Sequence, residues 1–423
     1  MFEKIRQIWK TKDLRNSILF VLAMLVIFRL AAHIPIPGIS AQGLRDFFAQ
    51  NQILGLLNIF SGGGLENFSI VMLGVGPYIT ASIIFQLLAM IIPALEQMSK
   101  EPAGQQKINQ YTRILTVPLA ALQGYGFITI LQRQAGQIIG LISLSQWITA
   151  LITIIGGTVF LMWLGELISE KKIGNGISLL IFAGIVASLP AAFQRTLAVF
   201  DPSQIFNLVL FVAIAVVTIV VIVIITEGQR NVPVNYAKRI RGNRMYGGVN
   251  THLPLRVNMA GVIPIIFAIS IILFPPMMAQ FFVNASAHWL SASAQFVINI
   301  FQNQVFYGSL YFILVVAFTY FYTYIIFHPQ QIAENLQKQG GFIPGIRPGR
   351  HTTDYLQATV NKILLAGALF LGIVAILPII MQPITGMSTL VVGGTSLLIV
   401  VAVVIETVKQ IDSQLTMRDY EGL

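Results

Sequence analysis

Cysteine is absent from the 423-residue chain, so neither a disulfide nor a thiolate metal site can form. Charge is scarce as well: Asp, Glu, Lys and Arg supply 10% of residues against 56% hydrophobic, at a mean hydropathy of +0.78. That leaves too little polar surface for an ordinary water-facing globule, and the bilayer must act as solvent. The 77 residues from Val257 to Ala333 contain no Asp, Glu, Lys or Arg. One spanning helix needs only ~20 apolar residues, so this stretch crosses more than once.

The acidic residues are missing from where a pump would need them. All sixteen fall in loops, in tails or near the end of a span, with Glu166 and Glu406 nearest the hydrocarbon. Ion-coupled transport depends on intramembrane ionisable groups, which are costly and kept for function. Their absence points to a passive path closed by apolar side chains. The five histidines sit at span edges (His33, His328) or in loops (His252, His288, His351), which offers no acid–base pair or zinc triad. No Gly-x-x-x-x-Gly-Lys loop is present, so energy must come from a partner. No enzymatic activity, metal or cofactor is expected.

What is present is a series of apolar runs bounded by charge or by Gly and Pro. Ten spans are predicted, near 18–32, 70–92, 115–131, 148–167, 177–193, 206–225, 257–279, 307–327, 363–381 and 390–404. Five basic residues precede the first, in the manner of a signal peptide. No small-residue cleavage site follows it, and the run continues into His33-Ile-Pro-Ile-Pro-Gly38, which favours a retained span. With this alternation 22 basic residues fall on one face and four (Arg29, Arg45, Arg133, Arg195) on the other. Basic residues mark the cytosolic side, so both termini are expected there. The two long connections, 227–256 and 328–362, share that face.

Two traces of an internal repeat survive. Gly74-Val-Gly-Pro-Tyr-Ile-Thr-Ala-Ser-Ile-Ile84 matches Gly261-Val-Ile-Pro-Ile-Ile-Phe-Ala-Ile-Ser-Ile271 at six of eleven positions, and Gly176-Ile-Ser-Leu-Leu-Ile181 parallels Gly394-Thr-Ser-Leu-Leu-Ile399. Spans two and five thus pair with seven and ten, as two inverted five-helix halves predict, 1–200 and 201–423. The expected fold class is therefore all-α, polytopic and pseudo-symmetric. Gly and Pro inside spans two and seven are expected to loosen the helix beside a central path; a lipid-facing Pro kink is the plainer alternative.

The order and spacing of several segments resemble the SecY family of secretion channels. They include Ile34-Pro-Ile-Pro-Gly38, Pro77-Tyr-Ile-Thr-Ala-Ser82, Tyr111-Thr-Arg113, Gly174-Asn-Gly-Ile-Ser178, Val257-Asn-Met-Ala-Gly261, Phe342-Ile-Pro-Gly-Ile-Arg-Pro-Gly349 and Gly393-Gly-Thr-Ser-Leu-Leu-Ile399. The resemblance implies a channel for unfolded polypeptides in the bacterial cytoplasmic membrane, narrowed by an aliphatic ring that maps onto Val75, Ile79, Ile177, Ile181, Ile266 and Ile399. Plain core packing is the alternative for each residue taken alone. It also implies a plug over 58–72, with Phe60, Ser61, Gly62, Gly63, Gly64, Leu65, Phe68 and Ile70, although a re-entrant loop without a gating role reads the same way.

A lateral gate releasing hydrophobic segments into lipid would use Thr80, Gln86, Asn258 and Phe274, whose polar members could equally be static interhelical glue. The implied partners are SecE, SecG, the SecA motor, the ribosome, signal peptides with their translocating chains, and membrane lipids. Docking of SecA and the ribosome would fall on Lys238, Arg239, Arg241, Arg244, Arg347 and Arg350, against the simpler account of topology-setting charge. An inverted-repeat small-molecule transporter is the competing function.

Overall fold

The computed structural model describes residues 2–36, 64–65, 67–134, 143–198, 205–236, 239–241, 244–246, 250–283, 287–385 and 394–421. Among the described residues there are fourteen helices: α1 Phe2–Lys10, α2 Lys12–Ala31, α3 Gly76–Ile91, α4 Pro93–Lys100, α5 Pro102–Gln134, α6 Leu144–Glu170, α7 Gly176–Ala198, α8 Ile205–Glu227, α9 Ile263–Phe282, α10 His288–Gln302, α11 Gln304–Ile326, α12 Pro329–Lys338, α13 Arg350–Thr385 and α14 Gly394–Glu421. Each of the ten apolar stretches falls on its own helix, namely α2, α3, α5 to α9, α11, α13 and α14. Among the described residues, Lys12–Ala31, Leu144–Glu170, Gln304–Lys338 and Arg350–Met381 are long and apolar enough to cross a membrane. α3 and α4, bent by 109° across Ile92, make a fifth if they form one span, and Gly176–Pro190, Val212–Glu227 and Ile263–Pro276 are shorter apolar helices.

Local chemistry sets the helix ends. Ser143 closes a capping box with Gln146 at the start of α6, and the Asn175 Oδ1 accepts from the Ile177 and Ser178 amides to open α7. Asn303 caps α11 by accepting from the Val305 and Phe306 amides. Proline occupies the first or second position of α3, α4, α9 and α12, where its missing N–H has no intrahelical partner to lose.

The repeat is visible in the backbone. Gly74 and Gly261, aligned in sequence, both take the left-handed conformation (φ 59° and 63°), and each precedes a helix with Pro at its first or second position. Here the structure corrects the expectation of a loosened span. Helix begins at Gly76 and Ile263 rather than at 70 and 257, so these glycines and prolines start helices instead of kinking them. Only a residue without Cβ enters that turn at little cost.

α2, α3, α5, α6 and α7 pack with one another, as do α8, α9, α11, α13 and α14. The two sets meet where α9 lies against α3 and α5, and where α14 lies against α7. The helices that pair in the repeat are therefore the ones that touch across the two sets.

The all-helical expectation omitted a small sheet. β1 Gln229–Tyr236 pairs antiparallel with β4 Asn250–Arg256 and with β5 Gly341–Phe342, which joins the two long basic-face connections in one module. Its core is Val232, Val234, Leu255, Leu336, Ile343, Leu356 and Val360. β2 Arg239–Arg241 and β3 Arg244–Tyr246 form a separate hairpin.

Candidate functional site

The six aliphatic residues singled out in the sequence come together. Val75, Ile181 and Ile399 are buried in one cluster, and Ile79, Ile177 and Ile266 pack against it half-buried. They arrive from both sets of helices: Val75 precedes α3, Ile79 lies in α3, Ile177 and Ile181 in α7, Ile266 in α9 and Ile399 in α14. Two open cavities border the cluster. Ile79 and Ile266 are the residues that line both. These two are symmetry mates in the repeat.

The first cavity is apolar, with Leu65, Leu73, Phe127 and Leu273 among its walls and Thr80, Gln123 and Ser270 as polar members. The second is more polar, lined by Tyr78, Ser82, Gln86, Ser169, Asn175, Ser178 and Tyr322, and it holds one carboxylate, Glu166. Arg113 of α5 neutralises that group, with its Nε 2.6 Å from the Glu166 Oε1. The pair lies at the end of α6 that leads into the basic Lys171-Lys172 turn. No uncompensated carboxylate therefore lines either cavity, and among the described residues no three acidic or histidine side chains cluster to hold a metal. Sequence reasoning passed over this pairing, for which Tyr111-Thr-Arg113 facing Glu166 was the available signal.

Of the residues expected in the plug, Phe60, Ser61, Gly62 and Gly63 lie outside the described residues. Gly64 and Leu65 are buried, and Leu65 borders the apolar cavity that Val75 and Ile79 also line. Phe68, at φ 44°, turns into a different cluster with Met72, Phe127, Leu131 and Ile154 of α5 and α6. Ile70 touches both clusters. Two hydrogen bonds hold this segment to the end of the first span: the Ile36 amide donates to the Phe68 carbonyl (2.9 Å) and the Ile70 amide to the Ile34 carbonyl (3.0 Å). Gly157 of α6 backs it so closely that a Cβ there would stand 1.8 Å from the Ile70 oxygen.

The seam residues sit near α3 and α9 without bridging them. Thr80 Oγ1 donates to Gly76 O (3.0 Å) and Gln86 Nε2 to Ser82 Oγ (3.0 Å), both within α3. The Gln86 Oε1 and Asn258 Oδ1 are buried with no hydrogen-bond partner among the described residues. The expected polar fastening of the seam is thus replaced by bonds along one helix, and apolar contacts of Ile79, Leu87 and Ile83 with α9 carry the interface. Thr80 and the half-exposed Phe274 both line the apolar cavity.

On the basic face, Lys238 lies outside the described residues, while Arg239, Arg241 and Arg244 belong to the β2–β3 hairpin. Arg347 and Arg350 are exposed on a tip shaped by Gly345 (φ 82°) and Gly349 (φ 96°). Ile346 and Ile343 root this tip in the module's core, and Thr352 Oγ1 donates to the Arg347 carbonyl at 3.0 Å.

The comparisons agree on one family. The SecY family model matches residues 69–408. A relative from Streptomyces galbus named "Protein translocase subunit SecY" is 43% identical over 441 residues, spanning 100% of this chain and 99% of its own. One of the same name from Mycobacterium tuberculosis is 43% identical, spanning 98% and 97%. Two solved structures, "The structure of a protein conducting channel" and "Sec61 in the Canine ribosome-channel complex from the endoplasmic reticulum", superpose with TM-scores of 0.64 and 0.62 at 18% and 17% identity. Each alignment covers 93% of this chain and 90% of the other, which establishes a shared fold.

Proposed function

The chain belongs to the SecY family, and from that premise we propose that it is a passive conduit through which unfolded polypeptides cross the cytoplasmic membrane and hydrophobic segments leave sideways into lipid. The observation that carries this reading is the cluster of Val75, Ile79, Ile177, Ile181, Ile266 and Ile399 between two cavities that have Ile79 and Ile266 in common. An aliphatic constriction offers no hydrogen bonds to water or ions and closes by dewetting. The same side chains yield around an extended chain without needing to recognise its sequence.

The segment 58–72 acts as the plug, with Leu65 lining the cavity that a crossing chain would occupy. Sideways release takes place between α3 and α5 on one side and α9 and α11 on the other, past Thr80, Gln86, Asn258 and Phe274. Thr80 and Gln86 bond along α3 rather than across the seam, which favours easy parting. Both termini and the β-sheet module face the cytosol, where 22 of the 26 basic residues collect. There the exposed Arg347 and Arg350, with the β2–β3 hairpin, meet an ATP-driven motor (SecA) or the polyanionic ribosome, and SecE and SecG complete the assembly in the membrane.

A small-molecule transporter would keep polar groups ready for a solute at the constriction, and the one carboxylate here is already paired with Arg113. The test uses the absence of native cysteine. Single cysteines at Ile79, Ile266 or the lipid-exposed Ile313 are challenged with a translocation intermediate arrested midway and carrying its own cysteine. Disulfides at 79 and 266 but not at 313 are expected; equal yields at all three, or none at 79 and 266, contradict the proposal.

A further inference from the structure

α10 was not foreseen in the sequence, and the conduit makes no use of it. It lies between α9 and α11, one residue before α11 begins at Gln304. The 23 residues of α11 rise about 34 Å at 1.5 Å each, enough to cross the ~30 Å hydrocarbon layer. Their far end reaches His328 and the basic-face module, so α10 sits at the opposite boundary.

Its surface divides into three arcs. Ala294 is buried, with Leu290, Val297 and Phe301 half-buried beside it toward α9 and α11. Gln295, Asn299 and Gln302 form an exposed polar arc. The third arc is exposed yet apolar: Trp289 is 71% and Phe296 66% accessible, one above the other at i and i+7, with exposed Ala292 between them. Two contacts fix the helix at its ends. Ser291 Oγ donates to the Val283 carbonyl (2.5 Å) just past α9, and Phe301 packs edge-on against Phe306 of α11 with centroids 5.5 Å apart.

We propose that α10 is an interfacial helix whose Trp289–Phe296 face is embedded in the outer leaflet of the bilayer, holding the outer end of the seam helix α9 at a set depth. Protein, water and lipid each receive one arc, and aromatic residues are favoured where the hydrocarbon meets the headgroups. The face continues into exposed Val305 and Ile313 of α11, which face the same lipid. No charge occurs between Val257 and Ala333 to attract a soluble protein or nucleic acid.

The full chain, free of native cysteine, is reconstituted in phospholipid vesicles with single nitroxide-labelled cysteines at Trp289, Phe296, Gln295 or Gln302. Labels at 289 and 296 should collide preferentially with lipid-soluble oxygen, and those at 295 and 302 with a water-soluble nickel chelate, giving accessibility ratios that differ several-fold. Ratios equal at all four sites, or labels at 289 and 296 shielded from both reagents as a protein partner or second copy would shield them, overturn the lipid assignment. A label at Phe282 should gain nickel accessibility when Trp289→Ser and Phe296→Ser are combined. An unchanged value overturns the depth-holding role.

Discussion

Gly157→Ala is the sharpest perturbation of the seat of the proposed plug, because the added methyl has nowhere to go. Its Cβ would stand 1.8 Å from the Ile70 oxygen and 2.7 Å from the Ile70 carbon, both backbone atoms with no rotamer to relax. Reaching the ~3.3 Å of the closest tolerated C–H···O contacts requires a shift of about 1.5 Å. Such a shift breaks the Ile36–Phe68 and Ile70–Ile34 hydrogen bonds, at 2.9 and 3.0 Å, for about 1 kcal/mol each. Overpacking of the α6 contact adds about 1–3 kcal/mol. A total of about 3–5 kcal/mol multiplies the unseated population by at least about two orders of magnitude. Gly156→Ala is the matched control, since a Cβ there meets nothing within 4 Å. Hydrogen exchange of the Ile36 and Ile70 amides in the reconstituted channel should accelerate about a hundredfold in Gly157→Ala and hardly at all in Gly156→Ala. Identical exchange in the two variants would refute the reasoning.

The repeat predicts that Gly74→Ala and Gly261→Ala behave alike, each costing about 1–2 kcal/mol because both residues are left-handed; thermal unfolding of the two variants checks this. Arg113→Gln leaves Glu166 unpaired at the polar cavity. A double-mutant cycle with Glu166→Gln should return a coupling of about 0.5–1 kcal/mol that shrinks with salt, since Arg113 is half-exposed. Leu356→Ala, at a fully buried position under the β-sheet, should cost about 2–4 kcal/mol. It should make the module protease-sensitive while leaving the ion seal of the membrane intact.

The apolar stretches were legible because hydrocarbon demands them, and each settled on its own helix. The Gly-Val-x-Pro repeat was legible for a different reason: a left-handed turn tolerates Gly74 and Gly261, and little else, two residues before a helix. Its meaning was misjudged, since the turn starts α3 and α9 rather than bending them. The sheet escaped notice because β1 and β4 are short and polar, and each carries a proline, Pro233 opposite His252 and Pro254 opposite Asn231. Its third strand arrives from a loop about a hundred residues later, a pairing that no local pattern encodes. α10 escaped because its 15 residues, interspersed with Ser, Gln and Asn, are too few and too mixed to make an apolar run of spanning length. That these six aliphatic residues would cluster could be read in advance only through the family resemblance, although the repeat alone had paired Ile79 with Ile266 and Ile181 with Ile399.

The central claim is that apolar side chains from two matching sets of helices seal the path. The most direct test replaces Ile79 and Ile266, the two residues lining both cavities, with asparagine, and follows ion flux across vesicles containing the purified channel. Hydrating the constriction should raise the leak well above wild type and allow export of a precursor with a defective signal sequence, the double variant exceeding either single one. A double variant as ion-tight as wild type and still rejecting that precursor would contradict the account.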